Sequence, residues 1–363
     1  MKQLYDIWFS YIMGVNNSNA WQIADSGFGP RLFYNCRQAL SQFNLFTQRQ
    51  MELAAATAIE DVEGIHRLHL ANNIKSVNYT DAEYPVRFRN IHNRPLVLFY
   101  KGDLSLLDAQ YTVGIVGSRH CSSEGEKACR LIATDVAAGG AVVVSGLAQG
   151  VDSVAHRSAV EAGGRTVAFL GTPLNEYFPR TNREFQDRLS AEQLVVSEYY
   201  ATFPYYSANF IYRNRLIAAA GDALCVVQAK KKSGSLATVN RAVEYDRPVF
   251  TVPGSIFSPG FSGTNSLLVQ GVAHAVTDGR QILEYLGAET PPPAEEKEPD
   301  YSALDETALA VLKVIDGAMN ANLIIRASGL KANVVKATLT SLEIDGWVNR
   351  TDTGEYIRTK QAN

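Results

Sequence analysis

The chain of 363 residues is 46% hydrophobic and 20% charged, a composition that fits two or three packed domains and excludes a disordered or fibrous protein. A net charge of −3 carries no global sign of a nucleic-acid partner, so charge distribution matters more than the sum. No apolar run approaches the ~20 residues that cross a bilayer.

The start of the chain places Ile7, Trp8, Phe9, Tyr11 and Ile12 around Asp6 and Ser10, without a basic leader or a small-residue cleavage site. A cytoplasmic location without membrane contact is therefore expected. Cys36, Cys121, Cys129 and Cys225 include no CxxC pair, and neither a disulfide framework nor a zinc site is expected. His66 and His69 stand one helical turn apart with no third ligand, which predicts a solvated helix face. No metal or cofactor is expected.

Residues 1–73 carry helix-spaced apolar positions broken by Gly14, Gly27, Gly29-Pro30 and Gly64, predicting a helical domain. From residue 74 the grammar changes. Short β-branched runs at 97–100, 113–116, 141–144, 166–170, 194–197, 223–227 and 248–252 are mostly followed by a Gly or Ser turn and a helical pattern. That repetition predicts an α/β domain over 74–287 with a mostly parallel, helix-covered sheet. Residues 288–302, with Pro291-Pro292-Pro293, Pro299 and several acids, read as a solvated linker. Predicted helices at 304–315, 320–327 and 331–345, then strands at 347–350 and 355–358, make 303–363 a winged-helix pattern.

Four turns fall at the ends of predicted strands. Ligands of open α/β sheets bind beyond the carboxyl ends of the strands, so these turns are expected to line one crevice. In the first, Gly117 admits close backbone approach, Ser118 offers donors at a helix N-terminus, and Arg119 has the fork geometry suited to phosphate. The spacing departs from the GxGxxG dinucleotide fingerprint. The second, Ser145-Gly146-Leu147-Ala148-Gln149-Gly150, has the glycines of a phosphate-binding backbone nest, and Asp152 is expected to cap the helix leading to His156. Ser145, Asp152 and His156 lack the spacing of a nucleophile elbow, so hydrolysis is not expected.

The third stretch is Phe210-Ile211-Tyr212-Arg213-Asn214-Arg215. Arginines that hold a backbone beside a ring that stacks an unpaired base suit single-stranded nucleic acid. On a helix Arg215 points away from Phe210 and Arg213, which leaves a structural ion pair open for it. The fourth is Lys230-Lys231-Lys232-Ser233-Gly234-Ser235, three lysines before a small-residue turn. Residues 207–241 hold six basic residues against one acid, Asp222.

In this order, GIVGSR, SGLAQGVDSVAH, FIYRNRLIA, SGSLAT and VPGSIFSPGFSGTN resemble the DprA/Smf family of bacterial DNA-processing proteins, over roughly residues 79–283. The upstream Asp81, Tyr84-Pro85 and Tyr100-Lys101-Gly102, and Tyr177-Phe178-Pro179 with Asn182, look similar to the same family. The resemblance implies an extended Rossmann-like core that dimerises and binds single-stranded DNA in a basic pocket. It also implies loading of the RecA recombinase in natural transformation, with no enzymatic step. It makes Arg119 the phosphate-contacting arginine, Phe210 the stacking ring, and Arg213 and Arg215 members of the RNR signature. The lysines are assigned on charge alone. Gln228 replaces a frequent Glu, residues 218–221 read Ala-Ala-Ala-Gly, and Val239 follows Thr238 where members have Ala. The start is a weak match to the helix-hairpin-helix signature.

Two other functions would each leave their own mark in the sequence. A Rossmann-like nucleotide hydrolase would carry a GGxGT turn, and Gly263-Thr264 lacks the first glycine pair. A double-strand-specific regulator would read DNA through the helix at 331–345, which has two lysines and no arginine.

Overall fold

The computed structural model describes residues 1–290, 301–351 and 354–359. Two compact units divide the chain, residues 1–291 and 292–363. No helix among the described residues is long and apolar enough to cross a membrane.

In the first unit, helices α1 (Lys2–Met13), α2 (Ala20–Asp25), α3 (Pro30–Asn35), α4 (Gln48–Ala56) and α5 (Glu63–Ala71) precede strands β1 (Lys75–Asn78) and β2 (Val97–Gly102). Strand and helix then alternate. β3 (Thr112–Val116), α6 (Ser123–Ala138), β4 (Val142–Ser145), α7 (Val151–Glu161) and β5 (Thr166–Phe169) form the first half. The second half continues through α8 (Arg183–Glu192), β6 (Leu194–Ser197), α9 (Ala208–Ala220), β7 (Ala223–Val226) and α10 (Ser235–Glu244). It closes with β8 (Val249–Thr251), α11 (Ser262–Val269), β9 (His274–Ala275) and α12 (Arg280–Leu286).

The nine strands lie in the order β1-β2-β6-β5-β4-β3-β7-β8-β9. Every neighbouring pair from β6 to β9 is parallel, whereas β1 and β2 run antiparallel at one edge. The predicted α/β sheet is thus present, with two short strands added that the sequence pattern does not announce, β1 and β9.

Period-2 alternation in the central strands sends side chains into two separate apolar layers. Val113, Ile115, Val143, Ala223 and Cys225 pack with Ile132 and Val136 of α6, Ala155 of α7 and Ile282 of α12. Their alternates, Val116, Val142, Val144, Leu224 and Val226, face Leu216 to Ala220 of α9 and Val239 of α10. Each fully buried Val or Leu contributes about 1.5–3 kcal/mol.

The helices before β1 share this second layer. Ile7, Trp8, Phe9 and Ile12 of α1 belong to the same apolar cluster as Val97, Leu98 and Phe99 of β2. Buried Asp6 accepts from Asn78 Nδ2 at 2.8 Å and from Ser76 Oγ at 2.6 Å, tying α1 to β1. The boundary expected near residue 73 therefore marks a change of local pattern within one continuous core. His69 corrects its expectation. It is fully buried, its Nε2 accepts the Ala201 N–H at 3.0 Å, and its ring meets Phe99 edge-on. An imidazole used as an acceptor inside the protein must stay neutral, and burial pushes its pKa down to about 4.

The second unit consists of α13 (Glu306–Val314), α14 (Ala321–Ser328), α15 (Ala332–Ile344) and the antiparallel pair β10 (Val348–Arg350) and β11 (Tyr356–Arg358). Asp305 and Asn320 cap α13 and α14 by accepting from the backbone three residues on. Val311, Leu312, Ile324, Val335, Leu339, Leu342 and Val348 form its own core. Three helices and a hairpin match the winged-helix expectation. Most of the linker expected at 288–302 lies outside the described residues.

Candidate nucleic-acid interface

The strand order places the turns. Counting from β3, the sheet grows through β4, β5 and β6 on one side and through β7, β8 and β9 on the other. The order reverses between β3 and β7, and beyond the carboxyl ends at such a reversal is where ligands of open α/β sheets bind. The segments that leave these two strands carry Gly117-Ser118-Arg119 and Lys230-Lys231-Lys232-Ser233.

The loops interlock through backbone. Ser118 N–H donates to Gln228 O at 2.8 Å, and Ser118 O accepts from Val151 N–H at 3.1 Å. Gly150 has φ +80°, and a Cβ there would lie 2.3 Å from Ser118 O, so only glycine lets the second turn press on the first. Gln228 is buried. Its side chain accepts from Ser122 N–H at 2.8 Å and donates to Ser122 Oγ at 2.9 Å, fixing the start of α6. Asn214 Nδ2 reaches Gly234 O at 3.4 Å, which joins α9 to the fourth turn.

Among the predicted residues, Arg119, Lys230, Lys231, Lys232 and Gly234 are exposed, while Gly117, Ser118, Gly150, Phe210, Asn214 and Ser233 are half-buried. Arg119 extends over Phe210, with its guanidinium carbon 5.5 Å from the ring centroid. Phe210 lies against Gly171 so closely that a Cβ there would fall 2.7 Å from its ring. Phe178 and Tyr205 flank it at centroid distances of 5.0 and 5.9 Å. These two rings are not among the predicted site residues. The signal was present as Tyr177-Phe178-Pro179 and Phe203-Pro204-Tyr205-Tyr206, but aromatic residues in separate loops show no spacing that joins them.

The remaining predicted residues sit beneath this surface. Ser145 is buried, its Oγ donating to Ile115 O at 2.6 Å, and Ser235 is buried with its Oγ 2.8 Å from that of Ser233. Arg213, expected at phosphate, is only 3% exposed. It donates to Gly146 O at 2.6 Å and to Phe169 O, clasping the ends of β4 and β5. A Cβ on Gly146 would lie 2.2 Å from that guanidinium, so the glycine makes room for the arginine. Arg215 is also 3% exposed and pairs with buried Glu198 at 2.6 Å. Phe210 and Arg213 share one side of α9, but Arg213 reaches inward to the carbonyls at the ends of β4 and β5, while Arg215, on another side of the helix, meets Glu198.

Asp152 is buried beside Arg213 and the backbone of Gly146 and Ala148. Burial raises its pKa against the pull of the guanidinium. It stands inside the first turn of α7, after Gly150, and braces the preceding loop. His156 faces the sheet, Nδ1 2.6 Å from Thr166 Oγ1, and burial pushes its pKa down to about 3. Ser145, Asp152 and His156 are therefore each engaged with separate structural partners. Among the described residues, no cluster of three or more His, Cys, Asp or Glu side chains could hold a metal ion.

A surface of exposed guanidinium, three ammonium groups and clustered rings offers charge for a polyanion and flat apolar faces for bases. Comparison with known proteins points the same way. The family model for DNA recombination-mediator protein A matches residues 75–287, and that for the DprA winged helix domain matches residues 288–352. The chain is 39% identical over 208 residues to the DNA processing protein DprA of Streptococcus pneumoniae, covering 57% of this chain and 73% of that protein. It is 34% identical over 292 residues to protein Smf of Escherichia coli, covering 77% and 76%.

Among solved structures, the S. pneumoniae DNA processing protein A superposes with a TM-score of 0.68 at 30% identity, over 79% of this chain and 99% of that one. DNA processing protein A of Helicobacter pylori, described for its single-stranded DNA binding mode, gives 0.54 at 29% identity, over 59% and 95%. With one family model spanning the sheet domain and a second the winged helix, the chain belongs to the DNA recombination-mediator protein A, or DprA, family.

Proposed function

We propose that the protein binds single-stranded DNA along the carboxyl edge of its sheet and hands the coated strand to a RecA recombinase. What supports this reading is exposed Arg119 over the half-buried Phe210 ring, together with exposed Lys230, Lys231 and Lys232 on the segment that leaves β7, the neighbour of β3. The cations take phosphates and the ring takes an unpaired base. Buried Arg213 and Arg215 support the surface from below. Binding requires no particular base sequence, because every base has a stackable face, and stacking strength alone sets a modest base preference. The protein acts without catalysis, in the cytoplasm, as a homodimer through its Rossmann-like domain.

The test is fluorescence anisotropy with labelled oligo-dT. Wild type binds tightly at low salt and loses affinity steeply as salt rises; Phe210→Ala weakens binding about five- to hundredfold with the fold intact. A flat salt response, or no binding to unstructured oligonucleotides, refutes the reading. RecA transfer is tested separately, by the rate at which RecA forms filaments on DNA precoated with single-strand binding protein. No acceleration by the protein removes that part alone.

A further inference from the structure

Phe178 and Tyr205 remain unexplained by a single base-stacking ring. They are 40% and 56% exposed, although each packs at a tilt against the other and against Phe210. Phe178 follows β5 and Tyr205 precedes α9, so two segments bring these rings together on the carboxyl edge. Arg180 and Arg183, both exposed, stand just beyond Phe178, and neither is paired with a carboxylate among the described residues.

The planes matter more than the distances. The Phe178 ring is tilted 46° and the Tyr205 ring 62° from that of Phe210. Neighbouring bases stacked within a strand are parallel, so two of them cannot lie flat on both surfaces at once. A strand that uses both must break its own stack between them.

We propose that the Tyr205 ring, braced by Phe178 tilted 47° beside it, forms a second nucleobase platform, with Arg180 and Arg183 holding its phosphates, so that the bound strand is splayed rather than stacked. This rests on the reading of the crevice as a single-stranded DNA interface and specifies how the polymer is held there. The paired bases of a duplex cannot reach both surfaces without unpairing, so duplex DNA gains no stacking here. Oligo-dT binds more tightly than oligo-dA, because adenines have stronger stacks to give up.

The experiment compares wild type, Phe210→Ala and the Phe178→Ala/Tyr205→Ala double variant by anisotropy with oligo-dT at several salt concentrations. The double variant loses about fivefold to a hundredfold in affinity, the effect of one stacked base. Its salt dependence stays that of wild type, since rings release no counterions. Arg180→Ala/Arg183→Ala flattens the salt slope by roughly 1.4, about 0.7 for each contact.

Tyr205→Trp retains a ring, and its fluorescence is quenched when oligo-dT saturates the protein. That arm stands even if the alanine variants fold poorly. Unchanged affinity in a folded double variant, or unchanged emission from Tyr205→Trp at saturation, overturns the second platform. If wild type itself ignores oligo-dT, the interface reading falls. If wild type and Phe210→Ala behave as stated while the double variant binds like wild type, only the platform falls.

Discussion

Arg119 and Arg215 carry the same charge in neighbouring motifs, yet their surroundings assign opposite duties. Arg119 is exposed above Phe210, whereas Arg215 is enclosed with Glu198. Arg119→Ala is expected to lower oligo-dT affinity and to flatten the log–log salt slope by about 0.7, measured by titration at several salt concentrations. Arg215→Met leaves the Glu198 carboxylate buried and unpaired, a loss of about 3–5 kcal/mol in urea unfolding. Adding Glu198→Leu to it recovers most of that loss, which a contact with phosphate would not.

The two buried histidines set an acid limit. Their folded pKa values, about 4 for His69 and about 3 for His156, lie below the unfolded value of ~6.5. The unfolded chain therefore binds more protons in acid. Stability is fully present above pH ~6.5 and declines as pH falls toward 4 and then 3, by up to roughly 3 kcal/mol for His69 and roughly 5 kcal/mol for His156. Urea midpoints measured from pH 7 to pH 4 should fall accordingly, and His69→Gln should reduce the slope.

Elements with a strong local signature were legible in the chain. The Val-rich runs of β3, β4 and β7 announce themselves because both faces of a central parallel strand are buried. β1 and β9 were not legible: Lys75–Asn78 and His274–Ala275 are short and partly polar, and pair only because a neighbouring edge offers backbone donors and acceptors. The glycine turns were recognised, but their mutual contact was not. Gly150→Ala tests that contact, since its Cβ would meet Ser118 O at 2.3 Å in a backbone conformation that L residues rarely adopt. The expected outcome is a loss of more than about 1 kcal/mol together with weaker DNA binding, because displacing one loop displaces Arg119.

At the scale of the molecule, two sets of apolar residues behave as separate cores. The clusters around the nine-stranded sheet contain only residues before 291, and the winged helix has its own. A protein ending at residue 291 is therefore expected to unfold cooperatively with its midpoint unchanged, and to keep its affinity for oligo-dT. Calorimetry and anisotropy check the two halves of that statement.

The amino-acid order alone determined the α/β class, the winged helix, most strands of the sheet and the cationic and glycine-rich turns, because each rests on periodicity or composition within a few consecutive residues. Only the tertiary structure decided that α1 joins the core of the sheet, that Arg213 and Arg215 lie inside, and that Phe178 and Tyr205 stand beside Phe210. Those outcomes depend on strand order and helix rotation, which bring together residues tens of positions apart and leave no mark in local spacing.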